Sequence, residues 1–147
     1  MLSKLKEKFP DVAFEEDESK AILIPSSVIL EVCRFLKNSS GLEFDYLMNL
    51  AVVDLKDRLE LVYHLFSFTM RHKVTIKVRL ERHEPVLDSV SSVWRGADWF
   101  EREAYDMFGV RFNNHPDMRR ILLSDEWVGY PLRKDYADPE LEVLPER

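Results

Sequence analysis

Three groups of side chains in this sequence could do chemistry: the carboxylates Glu101 and Glu103, the histidine of His115-Pro116-Asp117, and the cations Arg111, Arg119, Arg120, Arg133 and Lys134. Paired carboxylates can serve as a general acid and base. On a helix, however, positions i and i+2 lie about 200° apart, so Glu101 and Glu103 face opposite ways. The spacing favours a structural pairing instead. Arg102 stands four residues from both Asp98 and Asp106 and can bridge two acids on one helix face. Such pairs contribute a few tenths of a kcal/mol each when exposed.

His115 has a different character. Pro116 biases it toward extended backbone, and Asp117 after the proline can cap a turn. The pattern reads as a rigid turn, with a stand-alone hydrolase using His115 and Asp117 as the enzymatic alternative. His64, His72 and His83 lack close ligand spacing, and Cys33 falls in a helix stripe, so no zinc site is expected. His64 shares a strand face with Val62 and Phe66 and reads as a satisfied core or edge histidine. The four glycines form no phosphate-cradling loop and no nucleophile elbow.

The basic residues interleave with Phe112, Trp127 and Tyr130, superficially like an RNA-binding stripe. The same Arg, Trp and Tyr mixture matches protein–protein hot spots. Ile121, Leu122, Leu123, Trp127, Val128 and Leu132 also require cover, because a free patch of that size would be adhesive. A permanent protein partner accounts for both features. The whole stretch from Trp99 to Tyr136 is long, irregular and too apolar for a disordered linker, which marks it as functional or packed on something.

Composition narrows the class. The 147 residues, 46% hydrophobic and 33% charged, describe one ordinary globular domain. A single cysteine excludes an internal disulfide and fits a reducing compartment. It also excludes an iron–sulfur cluster held by this chain alone, which takes about four thiolates. A net charge of −6 argues against a general nucleic-acid binder. No apolar run approaches the ~18 to 20 residues that span a bilayer, and the amphipathic start MLSKLKEKF is no signal peptide. The expectation is an intracellular chain, soluble or peripheral to a membrane through partners.

The elements that must position these groups follow from periodicity. Residues 2 to 9 predict a short helix, ended by Pro10-Asp11. Val12 to Glu16 and Lys20 to Ile24 predict a hairpin. A helix opens after Pro25 with a serine expected as N-cap, and Val28, Val32, Phe35 and Leu36 form its core stripe. Phe44 to Val53 and Leu59 to Phe68 predict strands; the second, apolar on both faces, should be central. Val74, Ile76, Val78 and Leu80 alternate with polar residues, marking a half-buried strand. A last helix lies within Ala97 to Met107, with Ala97, Phe100, Ala104, Met107 and Phe108 inward and Gly109 in the left-handed position beyond it. The fold class is α+β: a mixed or antiparallel sheet with helices mainly on one face. Residues 1–110 are expected to form the core, and 111–147 an extended docking segment and tail of the same domain.

The run Glu101-Arg102-Glu103-Ala104-Tyr105-Asp106-Met107-Phe108-Gly109-Val110 resembles the signature of the C-subunit family of NADH:quinone oxidoreductase, respiratory complex I. The likeness continues through His115-Pro116-Asp117-Met118-Arg119-Arg120-Ile121-Leu122-Leu123. It extends to Asp125, Trp127, Gly129, Pro131, Leu132, Arg133, Lys134, Asp135 and Tyr136. Met118 stands where leucine is expected, a swap that conserves volume. The chain is short for a bacterial member, with a brief tail after Tyr136.

The resemblance implies a non-catalytic scaffold in the peripheral arm of complex I. Its partners would be the D and B subunits: it would dock on D, the large quinone-site protein, with B alongside. The place implied is the cytoplasmic side of the inner membrane (the matrix side if mitochondrial). The resemblance also implies that this chain binds no cofactor, and that FMN, iron–sulfur clusters and quinone belong to its neighbours. Electrons would pass through those neighbours from NADH to quinone, coupled to proton translocation. Glu101, Arg102, Glu103, Asp106, His115, Asp117, Arg119, Arg120, Trp127, Arg133, Lys134 and Asp135 are the expected partner interface. Counterparts in energy-converting hydrogenases and plastid-type complexes remain the alternative within the same resemblance.

Overall fold

A computed structural model of the chain describes residues 2–116, 118 and 129–133. Its main sheet is built around the interior strand β4 (Arg58–Ser67), flanked on both sides by antiparallel neighbours, β3 (Tyr46–Asp54) and β5 (His72–Glu81). Leu59, Leu61, Tyr63 and Leu65 of β4 are fully buried on one face beside Ile76 and Val78 of β5. β4 is therefore a covered strand paired on both edges, as its apolarity predicts, but β5 rather than β4 holds the middle of the five-strand order. The opposite face carries Glu60, Val62, His64 and Phe66, with Lys77 and Arg79 of β5 in register beside Val62 and Glu60. There His64 Nδ1 lies 3.3 Å from the Thr75 hydroxyl, which satisfies the histidine as expected.

The expected hairpin forms, but only as two-residue strands: β1 (Glu15–Glu16) antiparallel to β2 (Ile22–Leu23). Asp17 closes its turn by accepting hydrogen bonds from the Ser19 and Ala21 backbone N–H groups. β2 then pairs parallel to β5, so the sheet is mixed, in the order β1-β2-β5-β4-β3.

Two helices supply the cover early in the chain. α1 (Leu2–Lys8) buries Leu5, and α2 (Ile29–Asn38) buries Ile29, Val32, Cys33 and Leu36. The serine N-cap expected for α2 is absent. Ser26–Val28 form a 3₁₀ turn whose backbone satisfies the helix start, with the Ile29 N–H on Ser26 O, and no side chain caps it.

A second, two-stranded sheet stands apart from anything the periodicity predicts. In it β6 (Val86–Asp88) and β7 (Arg111–Asn113) pair in parallel. Between them in the chain lies α3 (Ala97–Phe108). Trp94, in the loop entering α3, is buried and donates its indole N–H to Phe44 O at 2.9 Å, which ties that loop to the chain entering β3. β7 begins the stretch expected to be a docking segment, yet Phe112 is 4% exposed and belongs to the core. Three-residue strands are too short to show periodicity, and their partners lie 25 residues apart in register.

Candidate functional site

α3 organises every described residue of the expected interface. Its N-terminal turn carries Asp98, and Arg102 reaches it with Nε at 2.9 Å from Oδ1, the i,i+4 pair that the spacing predicts. Glu103 points to solvent and Glu101 into the core, the opposition expected from their spacing. The inner stripe differs from expectation, however. Ala97 and Ala104 are buried, but the other fully enclosed residues of the helix are the acids Glu101 and Asp106, while Phe100, Met107 and Phe108 are half-buried.

Glu101 is held by the loop that follows β6. The Val90 N–H donates to Oε2 at 2.8 Å and the Ser89 hydroxyl to Oε1 at 2.6 Å. The Ser91 N–H donates to Ser89 Oγ at 3.1 Å, and the Ser91 hydroxyl oxygen lies 2.8 Å from Ser89 Oγ. Burial pushes the pKa of Glu101 from the 4.5 of a free glutamate up to about 7. The two hydrogen bonds pull against that rise, and the nearby Asp98 charge adds to it. Cys33 and Tyr63 lie in the same interior, and burial raises both their pKa values.

His115 closes the group from the far side. Its ring is fully buried, with Nε2 2.9 Å from Asp98 Oδ1, 3.3 Å from the Asp98 carbonyl oxygen and 3.8 Å from Glu101 Oε1. The two nearest atoms only accept hydrogen bonds, so Nε2 carries the proton. A turn precedes this histidine: Asn114 adopts the left-handed φ of 64° and the His115 N–H faces Phe112 O at 3.4 Å, while Asp117, expected to cap a turn after Pro116, lies outside the described residues. Both Glu101 and the His115 ring are sealed from solvent, while Asp117, the expected companion of His115, lies outside the described residues.

A second attachment lies at the other end of α3. Gly109 takes the left-handed φ of 78° expected of it, and its N–H caps Tyr105 O at 2.8 Å. The Tyr130 ring packs so closely on Gly109 that an added Cβ would lie 2.6 Å from the ring. Leu132 N–H donates to Met107 O at 3.0 Å, and Arg133 donates from Nε to Phe108 O at 2.5 Å with its guanidinium 5.6 Å over the Tyr130 ring. Helix C-terminal carbonyls lack intrahelical donors and favour a cation, which is what Arg133 supplies.

Of the expected interface residues, Glu101, Asp106 and the His115 ring are thus turned into the chain's own interior. Arg102 and Arg133 are partly exposed and Glu103 is exposed. Asp117, Arg119, Arg120, Trp127, Lys134 and Asp135 lie outside the described residues. Sequence reasoning passes over Ser89, Val90 and the His115 contact to Asp98, and over Trp99 as a surface group; Trp99 and Leu132, the latter expected to need cover, are each 55% exposed. Trp99, Glu103 and Met107 follow one another at i,i+4 along α3, and Leu132 is hydrogen-bonded to Met107, a pattern that periodicity could have flagged. A groove of about 290 Å³ between this stripe and β3 is lined by Leu50, Val52, Glu103, Met107 and Leu132, among others. Among the described residues, no cluster of histidine, cysteine and acid side chains is placed to hold a metal ion, and no helix is long and apolar enough to cross a membrane.

Comparison with known proteins gives these features a family. Residues 22–140 match the family model described as "Respiratory-chain NADH dehydrogenase, 30 Kd subunit". The chain is 40% identical over 140 residues to the NADH-quinone oxidoreductase C subunit of Geobacter sulfurreducens, covering 90% of this chain and 85% of that protein. It is 43% identical over 145 residues to the corresponding C subunit of Chloroherpeton thalassium, covering 93% of this chain but only 60% of the longer relative. Among solved structures, it superposes with a TM-score of 0.75 and 26% identity on a chain of an archaeal respiratory membrane complex, the membrane-bound sulfane sulfur reductase. That match covers 92% of this chain and 83% of the other. The trypsin-resistant fragment of Nqo5 shares the fold, with a TM-score of 0.64 at 24% identity over 79% of this chain and 98% of the fragment. The chain belongs to the family of the 30 kDa subunit of respiratory-chain NADH dehydrogenase.

Proposed function

We propose that this chain is a peripheral-arm subunit of a proton-translocating NADH:quinone oxidoreductase, and that its part in the enzyme is to hold other subunits in place. It docks on D, the large quinone-site protein, with B alongside, on the cytoplasmic face of the membrane. FMN, iron–sulfur clusters and quinone are carried by its neighbours. The observation that supports this reading best is the outward stripe of α3. Trp99 and Leu132 are each more than half exposed beside the charged Glu103 and Arg133, a combination typical of interface hot spots. Asp117, Arg119, Arg120, Trp127, Lys134 and Asp135 extend this docking surface in the sequence.

The test is affinity purification of the tagged chain from its own host in mild detergent. The D and B proteins should co-elute. Trp99→Ala should weaken that association at least tenfold, as should the pair Arg119→Ala and Trp127→Ala. Undiminished assembly in both variants would sink the surface assignment, and a chain eluting alone would sink the scaffold role.

The match to the sulfane sulfur reductase chain favours one second reading: the same scaffold role in a related membrane complex with another acceptor, such as an energy-converting hydrogenase. A co-purifying large subunit that keeps both pairs of nickel-ligand cysteines would select it, and one lacking them would select the quinone enzyme.

A further inference from the structure

The chain between β7 and Arg133 is fastened to α3 at both ends, and the two fastenings differ in kind. Near the helix C-terminus, Tyr130, Leu132 and Arg133 engage the last turn through a ring contact and two backbone carbonyls. Near its N-terminus, the fastening runs through the buried ring of His115, set between Asp98 and Glu101. The backbone leads into that point through the Ser89 N–H bond to Asn113 O at 2.9 Å and the turn at Asn114, whose left-handed φ is 64°. A charge-assisted bond from a sealed imidazole is the stronger constraint there.

We propose that His115 is a positioning residue: its ring, locked against Asp98 and Glu101, fixes where the following stretch leaves α3 and thereby presents that stretch for docking. The proposal rests on the docking reading above. Asp98 is itself oriented by Arg102, and Glu101 by Ser89 and Val90. The ring therefore reads the placement of two elements, the helix and the loop after β6, and transmits both to Pro116.

Limited trypsin digestion of the full-length chain, followed by mass spectrometry, tests the tether. Proteolysis tracks the population of the locally opened form, and Arg119 and Arg120 provide cleavage sites just beyond the tether. His115→Ala should be cut after Arg119 and Arg120 at least tenfold faster than the native chain, with other lysine and arginine sites unchanged. His115→Gln, whose amide can still donate to Asp98, should fall in between. Val32→Ala, a core variant in α2, should speed cleavage at sites throughout the chain. If His115→Ala digests at the native rate, or indiscriminately like Val32→Ala, the proposal is overturned. Asp98→Ala removes the same bond from a partly exposed side and should give the same selective cleavage, which keeps the test decisive if His115→Ala fails to fold.

The same variants expressed in the host separate this claim from the docking reading. Loss of co-purification with the D and B proteins in His115→Ala, partly restored in His115→Gln, supports the positioning role. Selective cleavage with undiminished co-purification would leave the tether standing and overturn the docking reading of the stretch.

Discussion

The interior beneath β4 and the interior beneath α3 are equally closed to solvent, but they are held by different forces. Under β4 the buried groups are Leu59, Leu61, Tyr63 and Leu65 against Ile76 and Val78. Under α3 they include Glu101 with its serine and amide donors, and Asp106. Apolar burial is non-directional and independent of pH. A buried carboxyl group is directional, and its contribution depends on its proton. The first region can therefore set how stable the chain is, and the second how accurately α3 and the chain pinned to it are placed.

The largest effect that separates the two should come from Leu61→Ala. Leu61 is fully buried in β4, a strand paired on both edges. Removing it leaves a cavity among residues of the sheet that cannot all relax, with an expected loss of about 3 to 4 kcal/mol. Denaturant unfolding at pH 5 and pH 8 should give the same loss, since no titrating group is involved. A loss that changed with pH would mean the two regions are energetically coupled.

Glu101 should behave in the opposite way. Its pKa is near 7 in the folded chain and about 4.5 when unfolded. Between those values the unfolded state gives up its proton while the folded state keeps it, so stability falls as pH rises. The contribution is fully present below about pH 4.5 and lost above about pH 7, and the separation corresponds to about 3 kcal/mol. Asp98, His115 and Arg102 face the same site in both proteins, so the informative quantity is the difference between native chain and Glu101→Gln. The amide can accept from Val90 and donate to Ser89, and should flatten the slope between pH 4.5 and 7. An equal slope in the variant would show that Glu101 is ionised throughout that range.

Gly109→Ala should rank next. The residue meets two demands at once: a left-handed φ of 78° and the Tyr130 ring where a Cβ would stand. The backbone strain alone costs about 1 to 2 kcal/mol, and the ring must also move away. Unfolding measurements should show a loss in that range or slightly above. Weaker partner association than Trp99→Ala produces would show that the tether at the end of α3 matters more than the stripe it frames.

How much of this can be read from the sequence divides along the same line. The alternation at Val74, Ile76, Val78 and Leu80 marks β5, the two-faced apolarity of Leu59 to Phe68 marks β4 as an interior strand, and Gly109 marks the end of α3. Each is a local signal produced by a long element burying apolar side chains. The polar interior is hidden for two reasons. β6 and β7 are three residues each, too short for a period. The His115 contact joins residues 17 apart, next to a helix position, Glu101, that periodicity treats as solvent-facing because it is charged. The helix stripe at Ala97, Glu101 and Ala104 includes the acid at the inward position, so spacing holds the information while residue type argues against it. The family signature read in the sequence spans both Glu101 and His115 without saying that one is packed against the other.

The smallest effect should come from charges on the other face of the sheet. Glu60, Arg79, Lys77 and Asp17 form a chain of ion pairs there, with Arg79 Nε 3.3 Å from Glu60 and Lys77 Nζ 2.8 Å from Asp17 and 3.7 Å from Glu60. The Lys77 ammonium and the Ser19 hydroxyl hold the Asp17 carboxyl well below its ordinary pKa, so that link persists throughout the usual carboxylate range and weakens only in strong acid. The Arg79 side chain is nearly half exposed, and water already screens most of its attraction. Arg79→Ala does not strand Glu60, because Lys77 remains within reach of it. The loss should be under about 0.5 kcal/mol, and it should shrink further in 1 M salt, where the screening length falls to about 3 Å. Glu60 is itself almost as buried as a core residue, at 8% exposure. A salt-independent loss above about 1 kcal/mol would therefore mean that Arg79, like the donors around Glu101, satisfies a buried acid, and that both faces of the sheet are held partly by polar groups.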